Sequence, residues 1–226
     1  MQVLKFLTHS KKAISIALEN GWYPGARYTN LRDIRYVDFC GVGFLDIHWK
    51  SYDFERHIDT AAATRPRLTV ARDVESIFEI DSILEEAEQL KKYAKLVAIV
   101  PKDMRLAGRL EQLIPMDFIL AYSVPTKYGG TQIPMEHFQR PVHLLGGRPE
   151  IQRKLAQEMN VISFDCNRFT YDARYGDYFD GQIFRPHPSG NYEQCLLESI
   201  RNINLLWENY AITTTSLDSS IIEALG

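Results

Sequence analysis

The sequence predicts an α/β fold of the (β/α)8 type, a TIM-like barrel, formed by a single domain over residues 1–226. Short, continuous apolar runs alternate with polar turns and stretches of helical period, as expected when parallel strands are buried on both faces. Polar residues end several of these runs, and the chain lacks the Gly-rich fingerprint of a dinucleotide-binding sheet. A closed barrel is therefore favoured over an open, doubly wound sheet.

Seven apolar runs are clear candidates for strands of the barrel. They are Val3–Leu7, Val37–Leu45, Leu68–Ala71, Leu96–Val100, Phe118–Ala121, Val142–Leu145 and Val161–Phe164. The segment Tyr178–Phe184 is a weaker candidate for an eighth strand, so we expect a short or irregular barrel.

Three amphipathic helices are indicated by apolar residues at spacings of three and four. The apolar stripes are Ile77, Ile80, Leu84, Ala87 and Leu90 in the first helix, Ile151, Leu155 and Met159 in the second, and Tyr192, Cys195, Leu196, Ile200, Ile203 and Trp207 in the third. Pro149 stands where a first helical residue is expected, since its missing N–H has no partner there in any case.

The composition is that of an ordinary globular protein, with 45% hydrophobic and 24% charged residues. No apolar run approaches the ~20 residues that a membrane-spanning helix needs. The N-terminal stretch MQVLKFLTHSKK has too short an apolar part for a signal peptide. We therefore expect a soluble, cytoplasmic protein.

Neither a metal site nor a disulfide framework is indicated. Cys40, Cys166 and Cys195 are odd in number and far apart, and the histidines show no HxH or HExxH pattern. His143 alternates into a buried strand and is interpreted as a core residue, whereas His48 follows an acidic strand end and is a candidate for the site. With a formal net charge of -3, binding of a nucleic acid would require a local basic patch.

Three carboxylates follow predicted strands and are the main candidates for chemistry. Asp46 closes VDFCGVGFLD, Asp73 follows LTVAR, and Asp165 closes NVISFD. In a parallel barrel these strand ends meet on one face, where active sites are built. The acids could divide the roles of nucleophile, base and substrate ligand. The alternative is structural, because Asp is also common in turns and helix caps.

The segment HLLGGRPE, residues 143–150, is a second candidate for the site. Gly146 and Gly147 end a strand just before a helix begins, so bare backbone can approach a ligand or an anion there. A tight turn that needs positive φ explains the pair equally well.

Two loops are also of interest. The loop of residues 123–141 is long and contains Tyr128, Gly129 and Gly130, which suits a lid. The stretch of residues 160–180 is rich in Asp, Arg and Tyr after a buried strand. Its residues Arg168 and Arg174 could bind phosphates and Phe169, Tyr171 or Tyr175 could stack on a base, unless this is an ordinary charged surface loop.

The stretch HLLGGRPEIQRKLAQEMNVISFDCNRFTYDARYG resembles a segment of the tRNA-guanine transglycosylases. In that family a Gly-containing strand end and a helix opened by Pro precede a Phe-Asp-Cys motif, and an Ala-Arg pair follows. Phe164-Asp165-Cys166 and Ala173-Arg174 have nearly that spacing. The resemblance covers roughly residues 37 to 176 and is most specific at Phe164–Cys166.

The resemblance implies that guanine in a polynucleotide is exchanged for a 7-deazaguanine, without a metal or a dissociable cofactor. Asp165 would be the nucleophile, Asp46 the second catalytic carboxylate, and Asp73 the ligand of the guanine edge. The backbone of Gly146 and Gly147 would lie near the base, with Tyr122 or Phe169 as a stacking aromatic.

Departures from the family motifs indicate which branch the chain resembles. Ile47-His48-Trp49-Lys50 replaces the family's Ser-Gly-Gly-Phe, residues 121–125 are the only counterpart of its Leu-Ala-Val-Gly loop, and the Cys/His zinc subdomain is absent. These features fit short relatives from phages and bacterial gene clusters that modify DNA. The expected partners are thus DNA, favoured over tRNA, and a free 7-deazaguanine base such as 7-cyano-7-deazaguanine (preQ0), in a bacterial or phage-infected host cytoplasm.

Two other functions remain compatible with the residues. One is a barrel hydrolase or lyase for a small phosphorylated substrate, bound at Gly146-Gly147 and the start of the Pro149 helix. The other is a non-catalytic nucleotide-binding module in which the carboxylates only cap helices.

Overall fold

Eight parallel strands close into a barrel in the computed structural model, which describes residues 1–127, 129–214 and 217–226. The barrel strands, each paired with its neighbours in chain order, are β1 (Leu4–Leu7), β2 (Tyr23–Arg27), β3 (Phe44–Asp46), β4 (Leu68–Val70), β5 (Leu96–Ile99), β6 (Ile119–Ser123), β7 (Val142–Leu145) and β8 (Val161–Asp165). The ring closes where β1 pairs with β8. The predicted (β/α)8-type barrel is therefore confirmed.

Helices connect the strands on the outside of the barrel and extend beyond β8. They are α1 (Lys11–Leu18), α2 (Phe54–Thr64), α3 (Ile80–Leu90), α4 (Leu110–Leu113), α5 (Pro149–Leu155), α6 (Arg168–Ala173), α7 (Tyr192–Trp207) and α8 (Ser219–Leu225). Among the described residues, the connection between β2 and β3 carries the short 3-10 turn Arg32–Ile34, and that between β6 and β7 carries the turn Met135–His137, in place of an α-helix. In the described part of the chain, no helix is both long and apolar enough to cross a membrane.

The second strand of the barrel was missed by the sequence analysis, and Val37–Leu45 was wrong for most of its length. The true second strand, YPGAR, is short and contains Pro and Gly, which are rare in strands. In the segment 37–43 the chain turns instead, because Gly41 has a φ of 73° and the N–H of Gly43 donates to the carbonyl of Phe39. Only Phe44 and Leu45 of the predicted strand belong to β3.

The segment Tyr178–Phe184 is not the eighth barrel strand. It forms an antiparallel hairpin of β9 (Asp177–Phe179) and β10 (Phe184–Pro186) outside the barrel. Side chains of α7 satisfy this hairpin's backbone, since Ser199 Oγ accepts from the N–H of Phe179 and Asn202 donates to the Phe179 carbonyl.

The predicted helices are present, with one difference in the buried face. Ile80, Ala87 and Leu90 of α3 are buried, as are the apolar residues of the α7 stripe from Cys195 to Trp207. Pro149 does open α5. In α5, however, Ile151 is 39% exposed and Gln152 is buried instead. The amide of Gln152 donates to the carbonyls of Gly146 and Asp165, which explains why a polar side chain faces inward.

The lower part of the barrel interior is closed by aromatic packing. The rings of Phe6 and Phe44 lie 5.5 Å apart, and the ring of His143 lies 4.8 Å from that of Phe44. All three side chains are fully buried. This layer forms an apolar floor beneath the carboxyl ends of the strands.

Candidate active site

A cavity of about 550 Å³ opens at the carboxyl ends of the barrel strands. The described residues that line it come from every strand end except that of β1: Arg27, Asp46, Ile47, Trp49, Val70, Asp73, Glu75, Lys102, Ser123, Val124, Thr126, Gly129, Gly130, Gln132, Leu145, Gly146, Gly147, Asp165 and Asn167. The structure thus brings Asp46, Asp73 and Asp165 together in one pocket. A cavity of this size is typical of small-molecule and cofactor sites.

Asp165 is the last residue of β8 and is held by two donors. The N–H of Gly146 donates to Oδ1 at 2.8 Å, and the side-chain amide of Asn167 donates to Oδ2 at 3.3 Å. Asn167 is in turn fixed by the N–H of Thr8, which donates to its Oδ1 at 3.0 Å. Only 6% of Asp165 is exposed. Its carboxylate is therefore oriented by neighbours on three strand ends.

Asp46 ends β3 directly beside Arg27, which ends β2, because the two residues are register partners. Arg27 Nε lies 3.8 Å from Asp46 Oδ2, close enough for attraction but too far for a hydrogen bond. Oδ1 of Asp46 accepts from the N–H of Ile47 at 2.8 Å. Arg27 also lines the cavity.

The two strand-end carboxylates form an electrostatically coupled pair. Burial, and then the negative charge of Asp46, raise the pKa of Asp165 to about 7, while the N–H of Gly146 and the charge of Arg27 act in the opposite direction. Burial likewise raises the pKa of Asp46 to about 6, opposed by Arg27. Both carboxyl groups therefore titrate near neutral pH, which suits general acid–base chemistry.

Asp73 lies in the loop after β4 and forms an ion pair that sequence analysis did not predict. Lys102 Nζ lies 3.1 Å from Asp73 Oδ2, and both side chains are largely buried. Burial raises the pKa of Asp73, and the charge of Lys102 and its hydrogen bond oppose this effect. Lys102 therefore favours Asp73 as an ionised hydrogen-bond acceptor.

The backbone conformation at positions 146 and 147 favours glycine, and both residues also line the cavity. Their φ angles are 60° and 95°, in the region that favours glycine. A Cβ on Gly147 would lie 2.5 Å from Cγ1 of Val124, whereas nothing lies within 4 Å of a Cβ on Gly146. The tight-turn and the ligand-facing interpretations are thus both compatible with this segment.

Both stacking candidates from the sequence, Tyr122 and Phe169, lie away from the cavity. Ser123 faces the pocket, so the alternation of a strand turns Tyr122 to the outer side of the barrel, where its ring packs on Phe138 at 5.0 Å. Phe169 is fully buried against Trp22. The structure therefore does not bring Tyr122, predicted to bind substrate, into the described cavity wall.

The two candidate phosphate ligands lie beside the cavity rather than in it. Arg168 makes a bidentate contact with Asp172, at 2.6 and 2.7 Å. Arg174 Nη2 lies 3.3 Å from Nε2 of His9, two residues beyond the end of β1. Both arginines are therefore near the same face of the barrel, and Arg168 already has an internal partner.

The long loop after β6 folds over one side of the cavity. Thr126 and Gly129 pair as an isolated antiparallel bridge, and Gly130 also lines the pocket. Tyr128, the third residue of the predicted lid, lies outside the described residues. His48 donates to or accepts from Ser51 Oγ at 2.7 Å in an exposed turn and does not contribute to the described cavity wall.

Among the cavity residues not identified as candidates from the sequence are Arg27, Trp49, Lys102 and Asn167. Arg27 was missed together with strand β2. Lys102 stands two residues beyond a predicted strand, and Asn167 stands two residues beyond Asp165. The aspartates were selected because they follow predicted strands, and the same criterion could have selected Lys102 and Asn167. Trp49 was noted only as part of a replaced motif, but its side chain is 60% exposed at the cavity.

Within residues 1–127, 129–214 and 217–226, no group of three or more His, Cys, Asp or Glu side chains has an arrangement that could hold a metal ion.

A model of the family described as Family of unknown function (DUF6610) matches residues 17–208. This match covers most of the chain and spans β2 to β8 with the residues of the cavity. A search of curated proteins finds no match.

We predict that Gly147→Ala lowers the free energy of unfolding more than Gly146→Ala. Both variants force alanine into positive φ, at a cost of roughly 1 kcal/mol. Only the Gly147 variant also drives a Cβ into the branched side chain of Val124. Urea denaturation of the two variants measures the difference in their free energies of unfolding. Equal losses of free energy would show that the contact with Val124 is not tight.

We also predict that folding stability decreases as pH rises from about 4 to about 7. The folded protein binds protons on Asp46 and Asp165 more tightly than the unfolded chain, whose Asp pKa is about 3.9. Asp165→Asn should therefore flatten this dependence and raise the melting temperature at pH 8 by at least about 2–4 °C, the shift that about 1 kcal/mol produces.

Asp59 is exposed on α2, so Asp59→Asn is the matched control and should leave the pH dependence unchanged. Urea denaturation at pH 5 and pH 8 measures the effect. If the free energy of unfolding of Asp165→Asn fell between pH 5 and pH 8 by as much as that of wild type, this would contradict the raised pKa assigned to Asp165.

Proposed function

We propose that this chain, which belongs to the DUF6610 family, is a pentosyltransferase that exchanges guanine in a polynucleotide for a 7-deazaguanine derivative. The observation that carries the proposal is the pair of neighbouring carboxylates, half-buried Asp46 and buried Asp165, in a cavity at the carboxyl ends of the barrel strands. The resemblance around Phe164-Asp165-Cys166 supplies the substrate class.

The pair is suited to displacement at a sugar carbon. Asp165 is the better nucleophile, because the N–H of Gly146 holds Oδ1 and orients the carboxylate, leaving Oδ2 with only the longer contact from Asn167. Asp46 is the better acid, because its pKa of about 6 lies below that of Asp165 and its 25% exposed side chain lines the cavity. The first step requires ionised Asp165 and protonated Asp46. Because Asp165 has the higher pKa, this is the less populated of the two forms that carry one proton on the pair.

In the first step, Asp165 Oδ2 attacks C1′ and the bond between C1′ and guanine N9 breaks. The electron pair of that bond goes to the base, and Asp46 gives its proton to the departing guanine. The products are a glycosyl ester of Asp165 and neutral guanine. The oxocarbenium-like transition state carries positive charge, which the two carboxylates stabilise.

In the second step, N9 of the incoming 7-deazaguanine attacks C1′ and the ester bond to Asp165 breaks. Asp46 takes the proton from N9, and Asp165 leaves as a carboxylate. Both residues return to their starting protonation states. Two displacements at C1′ give net retention of configuration.

The remaining cavity residues suit recognition of the base. Asp73, whose ionised form is favoured by Lys102 against the effect of burial, can accept from the N1–H and 2-amino groups that guanine shares with its 7-deaza analogues. Trp49 presents an exposed indole at the cavity, with Lys50 Nζ 5.2 Å from its ring centroid. This aromatic takes the stacking role that was expected of Tyr122, and it would stabilise a base withdrawn from its stack.

DNA is the polymer that we propose, favoured over tRNA. The support is the resemblance to the short DNA-modifying relatives and the lack of a Cys/His set at zinc spacing in this sequence. Arg27 in the cavity and Arg168 and Arg174 near its rim are the cations that could contact phosphates.

The alternative of a barrel hydrolase or lyase for a small phosphorylated substrate has less support. The N–H of Gly146 donates to Asp165 and does not face an open anion site. The described cavity wall carries four acidic side chains and two basic ones, which disfavours a free phosphate. A purely binding role does not explain why two carboxylates are buried together at an energetic cost.

We predict that the purified protein incorporates labelled guanine into DNA and that Asp165→Asn abolishes incorporation while the fold is retained. Asn is nearly isosteric but cannot form the ester, so a covalent protein–DNA species on denaturing gels should vanish as well. Asp46→Asn should slow exchange by about 10²–10⁴-fold, the usual contribution of a general acid.

Asp59→Asn, an exposed carboxylate change on α2, is the matched control and should exchange like wild type. Single-stranded DNA, duplex DNA and tRNA are compared in the same assay. No exchange into any of the three by folded wild-type protein, or full activity of Asp165→Asn, would overturn the proposal.

A further inference from the structure

His143 lies in the apolar floor of the barrel, directly beneath the candidate nucleophile. Its ring is fully buried between aromatic neighbours, 4.8 Å from Phe44 and 6.2 Å from Phe6. A phenylalanine could fill such a place without any polar atom. The polar edge of this histidine therefore requires an explanation.

One nitrogen of the ring has a partner. Nδ1 lies 2.8 Å from Oγ of Ser163, which is also buried. Among the described residues, Nδ1 of His143 is the only hydrogen-bond partner found for Ser163 Oγ. The O–H proton of Ser163 therefore has a partner only when the hydroxyl donates to Nδ1. That arrangement places the ring proton on Nε2.

The other nitrogen faces the site. Nε2 lies 3.8 Å from Asp165 Oδ1 and has no hydrogen-bond partner among the residues that the structure describes. Burial lowers the pKa of His143 to about 3, so the ring is a neutral donor at physiological pH. A buried donor left unpaired costs roughly 1–3 kcal/mol. A movement of less than about 1 Å would bring the two atoms to hydrogen-bond distance.

We propose that His143 is a positioning residue for glycosyl transfer, whose Nε2–H donates to Oδ1 of Asp165 as the sugar bond to Oδ2 forms and breaks. Ser163 holds the ring in the tautomer that this requires. The inference rests on the proposed function of Asp165 as nucleophile, and the sequence interpretation of His143 as a fully satisfied core residue was incomplete.

The donor has a defined effect on each half of the reaction. With Gly146 N–H and His143 Nε2–H both on Oδ1, the carboxylate presents Oδ2 to C1′ in the first step. In the ester, Oδ1 is the carbonyl oxygen. When the bond between C1′ and Oδ2 breaks, its electron pair goes to Oδ2 and the negative charge spreads over both oxygens, so the two donors on Oδ1 stabilise the departing carboxylate.

The other groups that face Asp165 are Asp46 from β3 and Arg27 from β2, with the amide of Asn167 and the N–H of Gly146. Neither charged group changes when His143 is replaced. A shift in the titration of Asp165 can therefore be assigned to the lost donor.

The test compares His143→Phe, which removes the donor, with His143→Gln, whose Nε2 amide can replace it. Carbon-13 NMR of the Asp165 carboxyl in the free protein gives its titration, independently of any activity. We expect the pKa to rise by about one unit in His143→Phe and to stay near wild type in His143→Gln. In labelled-guanine exchange, kcat should fall by about 10–100-fold in His143→Phe, with KM for guanine unchanged.

Nitrogen-15 NMR of wild-type His143 provides a measurement that does not depend on a variant folding. We expect a proton on Nε2 and none on Nδ1, and Ser163→Ala should reduce the population of this tautomer. A proton on Nδ1, or equal Asp165 titrations in wild type and His143→Phe, would overturn the role of His143. Absence of exchange together with the expected titration shift would instead count only against the proposed function.

Discussion

Two carboxylates buried together at the mouth of an apolar barrel are the constraint on which the rest of this site depends. Ionised Asp165 is tolerated only because Gly146 N–H and the Asn167 amide reach it. The Gly146 segment is held in turn by Gln152, which bonds the carbonyls of Gly146 and Asp165 from beneath. Replacing any one of these groups would leave a buried charge or carbonyl without its partner.

Barrel geometry explains why acids distant in sequence meet. Asp46 and Asp165 each end a parallel strand, so both side chains lie at the carboxyl face of the barrel. Arg27 ends the strand between β1 and β3 and opposes the rise in the pKa of both acids. Burial still raises both pKa values toward 7, where each group can hold or release a proton, as acid–base chemistry near neutral pH demands.

Sequence periodicity was sufficient to predict the barrel and to place three aspartates at its strand ends, because buried parallel strands are continuous apolar runs with polar ends. It failed for β2, since YPGAR has no such run and is a strand only through pairing with β1 and β3. Arg27, the last residue of β2, was not identified for the same reason. Tyr122 was misplaced because the face of a strand on which a side chain lies depends on register, which composition does not reveal.

Contacts between neighbouring strand ends were also beyond sequence analysis. The pairing of Asp73 with Lys102 joins the loops after β4 and β5, and the contact of His143 with Asp165 joins β7 with β8. Each depends on distances of a few ångströms between segments that spacing in the chain does not define. The sequence showed His143 in one predicted strand and Asp165 at the end of the following one. It did not show that Nε2 of His143 faces Asp165 without a hydrogen-bond partner among the described residues.

The coupling between Asp46 and Asp165 is the central claim, and the titration of Asp165 in Asp46→Asn tests it most directly. Removing a neighbouring negative charge should lower the Asp165 pKa, measured by carboxyl carbon-13 NMR, toward its ordinary range. Asp59→Asn should leave it unchanged. An Asp165 pKa that is the same in wild type and Asp46→Asn would show that the two carboxylates do not share one site.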